Sequence, residues 1–484
     1  MECKPNFFTS APFPSSPPWT TLFSPLCRNL PSTSRRFAIS IRDVMHLPSP
    51  DDLRVTTLGP CEFDSPLLHF DQNEGICPRF VEDDDTILLD DSVKSLKAGG
   101  SKEPLAVEQA GPRRKIYFHP DGAVCAIVTC GGLCPGLNNV IRAVVMQARY
   151  RYKVRRIFGF RYGYEGLIED YEHEVISLNP ELVSPLHRFG GTFLGTSRGP
   201  QNVPKMVDRL TQLGVNILFV VGGDGSQRGA YEIAAEAERR GRKLSVIGIP
   251  KTIDNDLMFM DKSFGYETAF TAAVEAVHAA HSEAKGSRNG VGLVKLMGRD
   301  SGFIACSTAL ATGDVNYVLI PEIPFQLEGD HGLLAVLRRR LAKREHAVVI
   351  VAEGAVQDLI KAGASGTDAS GNTKLQDIGI FLKQQIEKDF KARNIHLNLK
   401  YIDPSYMIRS VPASPDDAVL CIQLARHAVH AAMAGKTGVV VGRMRGHFVH
   451  LPIKAATSAR KKVEADGDLW LSVLETTGQP VKFG

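Results

Sequence analysis

Apolar positions in this chain fall into short continuous runs that alternate with longer stretches of helical spacing. The runs at 123–129, 154–160, 217–221, 244–249, 290–296, 315–320, 346–352, 397–402 and 437–442 predict buried strands. Between them the spacing predicts helices over 137–152, 203–213 and 226–241, then over 266–285, after 302, and over 331–344, 375–392 and 415–434. In the first helix Ile141, Val144, Val145 and Ala148 keep core spacing. Strands that are apolar throughout and alternate with helices predict mostly parallel sheets covered on both faces. The alternation runs in two series of similar rhythm, as two related α/β domains would.

The densest polar clusters lie where strands end, and in an open α/β sheet those ends form the ligand crevice. The run at 217–221 ends in Gly222-Gly223-Asp224-Gly225-Ser226. Glycines let backbone N–H groups approach an anion closely. Ser226 is placed to cap the next helix, whose N-terminus favours negative charge. Asp224 would repel a bare phosphate, so a divalent cation between them is the natural reading, and oxygen ligands suit Mg²⁺. The run at 244–249 ends in Pro250-Lys251-Thr252-Ile253-Asp254-Asn255-Asp256. Two nearby carboxylates are costly unless a metal, donor or proton is shared. One could act as a base for a hydroxyl while the other joins the metal environment. Each cluster alone also reads as an ordinary turn. A second glycine loop, Cys130 to Gly136, follows the run at 123–129 but lacks the Gly-Lys-Ser/Thr of a Walker A loop.

Composition narrows the setting. A chain of 484 residues is long enough for two or three domains. No apolar run reaches the ~18 residues of a membrane span. A net charge of +4 is too small to argue for nucleic acid or a membrane surface. Nine irregularly spaced cysteines give neither a disulfide framework nor a zinc pattern. Cys125, Cys130 and Cys134 read either as small apolar residues packing a tight turn or as a thiol switch beside the glycine loop. Residues 1–45 are rich in Ser, Thr and Pro, with no acid between Glu2 and Asp43. This resembles a plastid transit peptide more than a secretory signal, a plain disordered tail being the alternative. Residues 46–117 read as an irregular N-terminal extension with acidic patches and no nameable chemistry.

Seven segments in order resemble 6-phosphofructokinases. They are CGGLCPGLNNVIR (130–142), GGTFLGTSRG (190–199), GGDGSQRGA (222–230), PKTIDND (250–256), LMGRDSGFIA (296–305), VAEGA (351–355) and KYIDPSYMIRS (400–410). GGDG is shared with NAD kinases and lipid kinases, whereas TIDND, MGR and the Tyr-Ile-Asp-Pro-Ser-Tyr stretch belong to this family. The resemblance implies two similar Rossmann-like domains with the active site in the cleft between them. It assigns 118–266 with 408–442 to an ATP-binding domain and 267–407 with 443–470 to a fructose 6-phosphate-binding domain.

It also implies roles. Gly132, Tyr164, Arg198, Gly223, Gly225, Ser226, Gly229 and Lys251 would line the nucleotide. Asp224, helped by Asp256, would hold Mg²⁺. Asp254 would take the proton of the sugar's 1-hydroxyl, with Thr252, Arg299 and Arg198 holding the transferring phosphoryl group. Met297, Gly298, Arg299 and Glu353 would line the sugar, and Lys400, Tyr406 and Arg409 its 6-phosphate. Such a site suits phosphoryl transfer, which needs positioning and charge neutralisation more than covalent chemistry.

The sequence departs from bacterial members at Lys251, which resembles pyrophosphate-dependent relatives. Those relatives carry Asp where Gly225 stands, and a carboxylate there would crowd the α-phosphate of ATP. The pairing of Gly225 with Lys251 resembles the ATP-dependent enzymes of plants. A phosphate-binding arginine that bacterial members take from a neighbouring subunit falls, by ungapped count, at Gly290. The expected enzyme is an ATP-dependent kinase working in glycolysis, allosteric, a homo-oligomer (a tetramer), with ATP and fructose 6-phosphate as partners, in the plastid stroma or alternatively the cytoplasm. The rivals are a pyrophosphate-dependent enzyme and an inactive regulatory paralogue.

Overall fold

The computed structural model describes residues 48–484 except 70–78, 94–96, 98–103, 358–359, 361–365 and 367–374. The transit-peptide-like segment and most of the expected 361–374 loop lie outside the described residues. The described chain folds around two sheets. In the larger, the strands order as Thr86–Leu88, Ala106–Gln109, His447–Pro452, Val439–Met444, Ser245–Pro250, Ile217–Gly222, Val124–Thr129, Arg156–Phe160 and Val175–Ser177. The five strands from Val439–Met444 to Arg156–Phe160 are parallel, and the pairings outside them are antiparallel. The smaller sheet is wholly parallel, in the order Tyr317–Leu319, His346–Ala352, Gly290–Leu296, Asn398–Ile402.

The continuous apolar runs are explained by burial on both faces. Along Ile217–Gly222 every residue is buried. Phe219 and Val221 pack with helices Leu137–Met146 and Pro415–Met433, whereas Leu218 and Val220 pack with Val203–Gln212 and Asp224–Arg239. The smaller sheet repeats the plan. Val294 and Leu296 face helix Tyr266–Lys285, and Val291 and Leu293 face Leu333–Arg344 and Ile378–Ala392. Both lobes therefore point the carboxyl ends of parallel strands at one cleft.

Most element boundaries lie close to those expected, with four differences. The helix from Leu137 ends at Met146 and continues as one wider π turn, 147–151. The helix expected from 226 begins at Asp224 with Gly223 as its cap, so Ser226 sits inside the first turn and is not the cap. The strand at 439–444 is not the last: His447–Pro452 folds back on it as an antiparallel hairpin in the large sheet, and helix Asp468–Thr477 follows. Part of 443–470 thus pairs with the large sheet, in the lobe expected to bind ATP, and not with the smaller sheet. A tight Arg445-Gly446 turn, with both residues at positive φ, makes the hairpin and carries little apolar signal.

The extension at 46–117 is also more ordered than expected. Ala106–Gln109 joins the large sheet through His447–Pro452. What fastens it is a buried ionic cluster. Glu108 accepts from Arg113 Nη2 at 2.7 Å, His450 Nδ1 at 2.8 Å and Lys436 Nζ at 3.0 Å. Asp83 lies 2.8 Å from Lys436 and 3.0 Å from Arg113. A buried charge persists only when it is paired in this way.

Candidate active site

Six loops at the strand ends enclose a cleft of about 660 Å³. It is lined by Gly132, Tyr164, Arg198, Gly223, Asp224, Gly225, Ser226, Gly229, Lys251, Thr252, Asp254, Asp256, Arg299 and Glu353, each picked out in the sequence. Residues more than 200 positions apart meet here because both lobes are parallel and face each other.

On the large-sheet side the glycine loops are held by defined contacts. Lys251 Nζ donates to the Gly132 carbonyl at 2.7 Å, and Thr196 Oγ1 donates to the Gly131 carbonyl at 2.6 Å. Burial holds the Lys251 ammonium below its usual range, with Cys134 and Cys130 acting against that shift. The Tyr164 hydroxyl donates to the Ser226 carbonyl at 2.5 Å, and its ring would lie 2.8 Å from a Cβ on Gly229. Tyr164 therefore braces the first turn of the helix. Gly225 differs from its neighbours: a Cβ there would meet nothing within 4 Å, so its bareness keeps the cleft clear and is not demanded by packing.

The three cysteines beside this loop are buried. Burial pushes the Cys125 and Cys130 thiols up to about 12, and Cys134 higher still. Cys134 donates to the Phe264 carbonyl at 3.2 Å. A thiol held protonated and covered is a poor nucleophile, so packing is the role these contacts support.

The carboxylates stand at the join of the two lobes. Asn255, at φ 55°, turns the chain between Asp254 and Asp256 and accepts from Ser263 N at 3.1 Å. Asn tolerates that backbone better than most residues. Thr252 Oγ1 binds Asp256 at 3.0 Å, and Ser301 Oγ binds the Asp254 carbonyl at 2.8 Å. The Asp254 carboxyl is pushed up to about 8, first by burial and then by Asp256 and Glu353, while the Arg299 backbone N–H acts against the shift. Its Oδ1 is buried with no hydrogen-bond partner. A lone acceptor poised near neutral pH is what a general base requires.

Burial raises Asp224 too, with Arg228 and Arg460 opposing and Asp256 adding to the shift. Asp224 Oδ1 is likewise buried and unpartnered. Among the described residues no group of three or more His, Cys, Asp or Glu gathers to hold a metal. Asp224 and Asp256 fit a hard cation that takes its other oxygens from phosphate and water.

On the side of the smaller sheet, Glu353 follows strand His346–Ala352. Its N–H donates to the Leu296 carbonyl at 2.9 Å, and Gly354 N donates to the Gly298 carbonyl at 3.1 Å. A Cβ on Gly354 would fall 1.7 Å from the Arg299 carbonyl, so glycine is needed to seat this loop on the Met297-Gly298-Arg299 turn. Met297, Gly298, Lys400, Tyr406 and Arg409 do not line the cleft in this chain. Lys400 is exposed on its strand, and Tyr406 is 74% exposed. Arg409 stacks on Tyr406, 4.7 Å from the ring centroid, and reaches back toward Gly132. Gly290 opens strand Gly290–Leu296, where a Cβ would sit 2.0 Å from the Ala284 carbonyl. No arginine fits that position, and Arg288 is exposed beside it.

Arg460 was missed by sequence reading. It lines the cleft and pairs with Asp300, with Asp256 at 3.5 Å and with Asp224 at 3.9 Å. Its only signal was the basic run Arg460-Lys461-Lys462, which by pattern is a solvated surface. Arg228, 3.1 Å from Asp224, was hidden inside a helical stretch.

Comparison with known proteins agrees with this site. The phosphofructokinase family model matches residues 124–432. The chain is 50% identical over 442 residues to an ATP-dependent 6-phosphofructokinase of Amycolatopsis methanolica, covering 90% of this chain and 96% of that one. It is 45% identical over 405 residues to ATP-dependent 6-phosphofructokinase 4, chloroplastic, of Arabidopsis thaliana, covering 83% and 75%. Among solved structures, a pyrophosphate-dependent phosphofructokinase from Marinobacter aquaeolei superposes with a TM-score of 0.61 at 22% identity, over 75% of this chain and 92% of that one, a likeness of fold. The chain belongs to the phosphofructokinase family.

Proposed function

We infer that this protein transfers the γ-phosphoryl group of ATP to the 1-hydroxyl of fructose 6-phosphate, giving fructose 1,6-bisphosphate and ADP. The observation that carries this reading is Asp254: a buried, unpartnered carboxylate oxygen between the nucleotide loops and the sugar-side turn. Asp254 accepts the 1-hydroxyl proton as that oxygen attacks the γ-phosphorus. Thr252 and Arg299 orient the acceptor, and Arg198 with Lys251 supplies positive charge toward the phosphates. Glu353 shapes the sugar pocket, with Met297 and Gly298 in the turn that seats its loop, and Lys400, Tyr406 and Arg409 beyond the cleft lining serve the 6-phosphate. Mg²⁺ bound with the nucleotide would neutralise phosphate charge, and Asp224 and Asp256 would hold it. Preorganised charge of this kind is the main source of acceleration in phosphoryl transfer.

ATP is favoured over pyrophosphate as donor by the open space at Gly225. The test is fructose 1,6-bisphosphate formation by the purified chain with ATP and, separately, with pyrophosphate. Activity with ATP alone is expected. Activity with pyrophosphate alone would establish the rival donor, and activity with neither would establish an inactive paralogue.

The same reading places the enzyme in the plastid stroma, supported by the composition of residues 1–45 and the similarity to a chloroplastic relative. A reporter fused to residues 1–60 should enter plastids, and cytosolic retention would overturn this. Self-association, for which a homo-tetramer is the expected state, is supported by the exposed apolar side chains of Met407, Val419 and Ile422. Light scattering on the purified protein measures it directly.

A further inference from the structure

The segment after the hairpin is pinned across both lobes. Lys461 N donates to the Asp256 carbonyl at 2.8 Å, and Lys461 Nζ donates to the carbonyls of Met260 and Asp261 at 2.8 and 3.0 Å. Two residues on, Val463 N donates to Glu322 Oε1 at 2.9 Å, and the same oxygen accepts from Gly302 N at 3.0 Å. Arg460 pairs with Leu257 in an isolated antiparallel bridge. Its guanidinium is thereby delivered to the mouth of the cleft with little freedom.

There it meets three carboxylates unequally. It binds Asp300, on the sugar-side turn, directly. It stands 3.5 Å from Asp256 and 3.9 Å from Asp224, at the loose limit of ion pairing. Asp224 Oδ1 keeps no partner at all. The side chains of Asp224 and Asp256 are 12% and 8% exposed, so the pair is costly without a nearby cation. Arg228 pairs with Asp224 at 3.1 Å from the same helix, and Arg460 adds a charge that faces both carboxylates from an anchor on the opposite lobe while leaving Asp224 Oδ1 free.

We propose that Arg460 is a charge placeholder: anchored on Asp300, it sets its positive charge against the Asp224–Asp256 pair and gives way there to the divalent cation that enters with the nucleotide. It is a positioning residue, acting on the carboxylates and not on the substrate. The competition has a definite sign. Removing the guanidinium leaves the pair more negative and strengthens cation binding. Removing the Asp300 anchor frees Arg460 to engage the pair fully and weakens cation binding. A residue that merely held the loop in shape would weaken binding in both variants.

This rests on reading Asp224 and Asp256 as the metal carboxylates, and the experiment separates the two. Mn²⁺ binding to the full chain, without nucleotide, is measured by the electron paramagnetic resonance of free Mn²⁺. Arg460→Gln is expected to tighten Mn²⁺ binding about tenfold, Arg460→Lys to leave it near wild type, and Asp300→Asn to weaken it about tenfold, these being the sizes expected for one charge near a partly exposed pair. Asp224→Asn is expected to abolish it, and binding that survives Asp224→Asn unaltered overturns the metal assignment itself. Binding lost in Asp224→Asn but weakened or unchanged in Arg460→Gln overturns the placeholder. Thermal midpoints establish that each variant is folded. Should Arg460→Gln not fold, Asp300→Asn decides alone: tighter or unchanged binding sinks the proposal.

Discussion

The ammonium of Lys251 donates to the carbonyl oxygen of Gly132 across a gap of 2.7 Å, tying two strand ends of the large sheet together at the floor of the cleft. The bond is charge-assisted and partly buried. It therefore holds the glycine loop open in one conformation, before any phosphate arrives.

Lys251→Met is the direct probe of that tie. Charged hydrogen bonds contribute roughly 1.5–3 kcal/mol. A loosened loop should raise the KM for ATP by about tenfold or more while the KM for fructose 6-phosphate moves little. Initial-rate kinetics with each substrate varied will check this, and equal changes in both constants would argue against a nucleotide-side role.

Gly225→Asp tests donor choice. A Cβ there meets no protein atom within 4 Å, so the fold should accept a side chain and the thermal midpoint should hold. Like charges brought together cost several kcal/mol. The KM for ATP should therefore rise by about tenfold or more. An unmoved KM for ATP would mean that Gly225 does not face the nucleotide phosphates.

Asp254→Ser should bind ATP nearly as well as wild type and turn over about 10²–10⁴-fold more slowly, the usual loss when a positioned base is removed. The comparison is kcat against the equilibrium affinity for ATP, measured by calorimetry. Unchanged turnover removes Asp254 from the chemistry.

Acid stability should report the buried histidines. Burial pushes His427 down to about 3, helped by Arg426 and His450, and His430 is driven down as well, with Arg426 and Arg113 adding to the effect of burial. His430 Nδ1 is hydrogen-bonded to the Tyr152 hydroxyl at 2.7 Å, while His427 Nδ1 is buried without a partner. Both rings stay neutral in the native state but protonate in the unfolded chain near pH 6.5. Their contribution is complete above about pH 6.5 and is lost as pH falls below it, by up to about 1.4 kcal/mol per ring per pH unit. Urea midpoints should drop between pH 6.5 and 5.5, and the drop should shrink in His427→Leu. A flat profile over that interval would contradict the assignment.

Strand and helix order was legible because burial on both faces of a parallel sheet writes an unbroken apolar run such as Ile217 to Val221. The glycine and aspartate clusters were legible because they fall at the ends of those runs, where topology places a ligand. Short range information was enough for both. The hairpin at 447–452 was not legible, since its mixed run of His447, Phe448, Val449 and His450 resembles a loop until a neighbouring strand is present. Nor was the order of 106–109, whose Glu108 reads as a surface acid. Only the arrival of Lys436 and His450 from distant positions, beside the nearby Arg113, makes burial of that charge tolerable.

The site divides the same way. Residue types and their order came from the sequence: Asp224, Asp254, Asp256 and Arg299 stand in motifs whose chemistry is local. What the carboxylates are was decided by tertiary structure. Asp254 becomes a base near neutral pH through burial and through Asp256 and Glu353, the latter brought from the other lobe. Arg460 becomes part of the cleft because a pinned return segment carries it there from a run of ordinary basic residues. Chain order fixes which groups exist, but the field each one feels depends on neighbours hundreds of residues away, and that is set only when the two sheets close on one another.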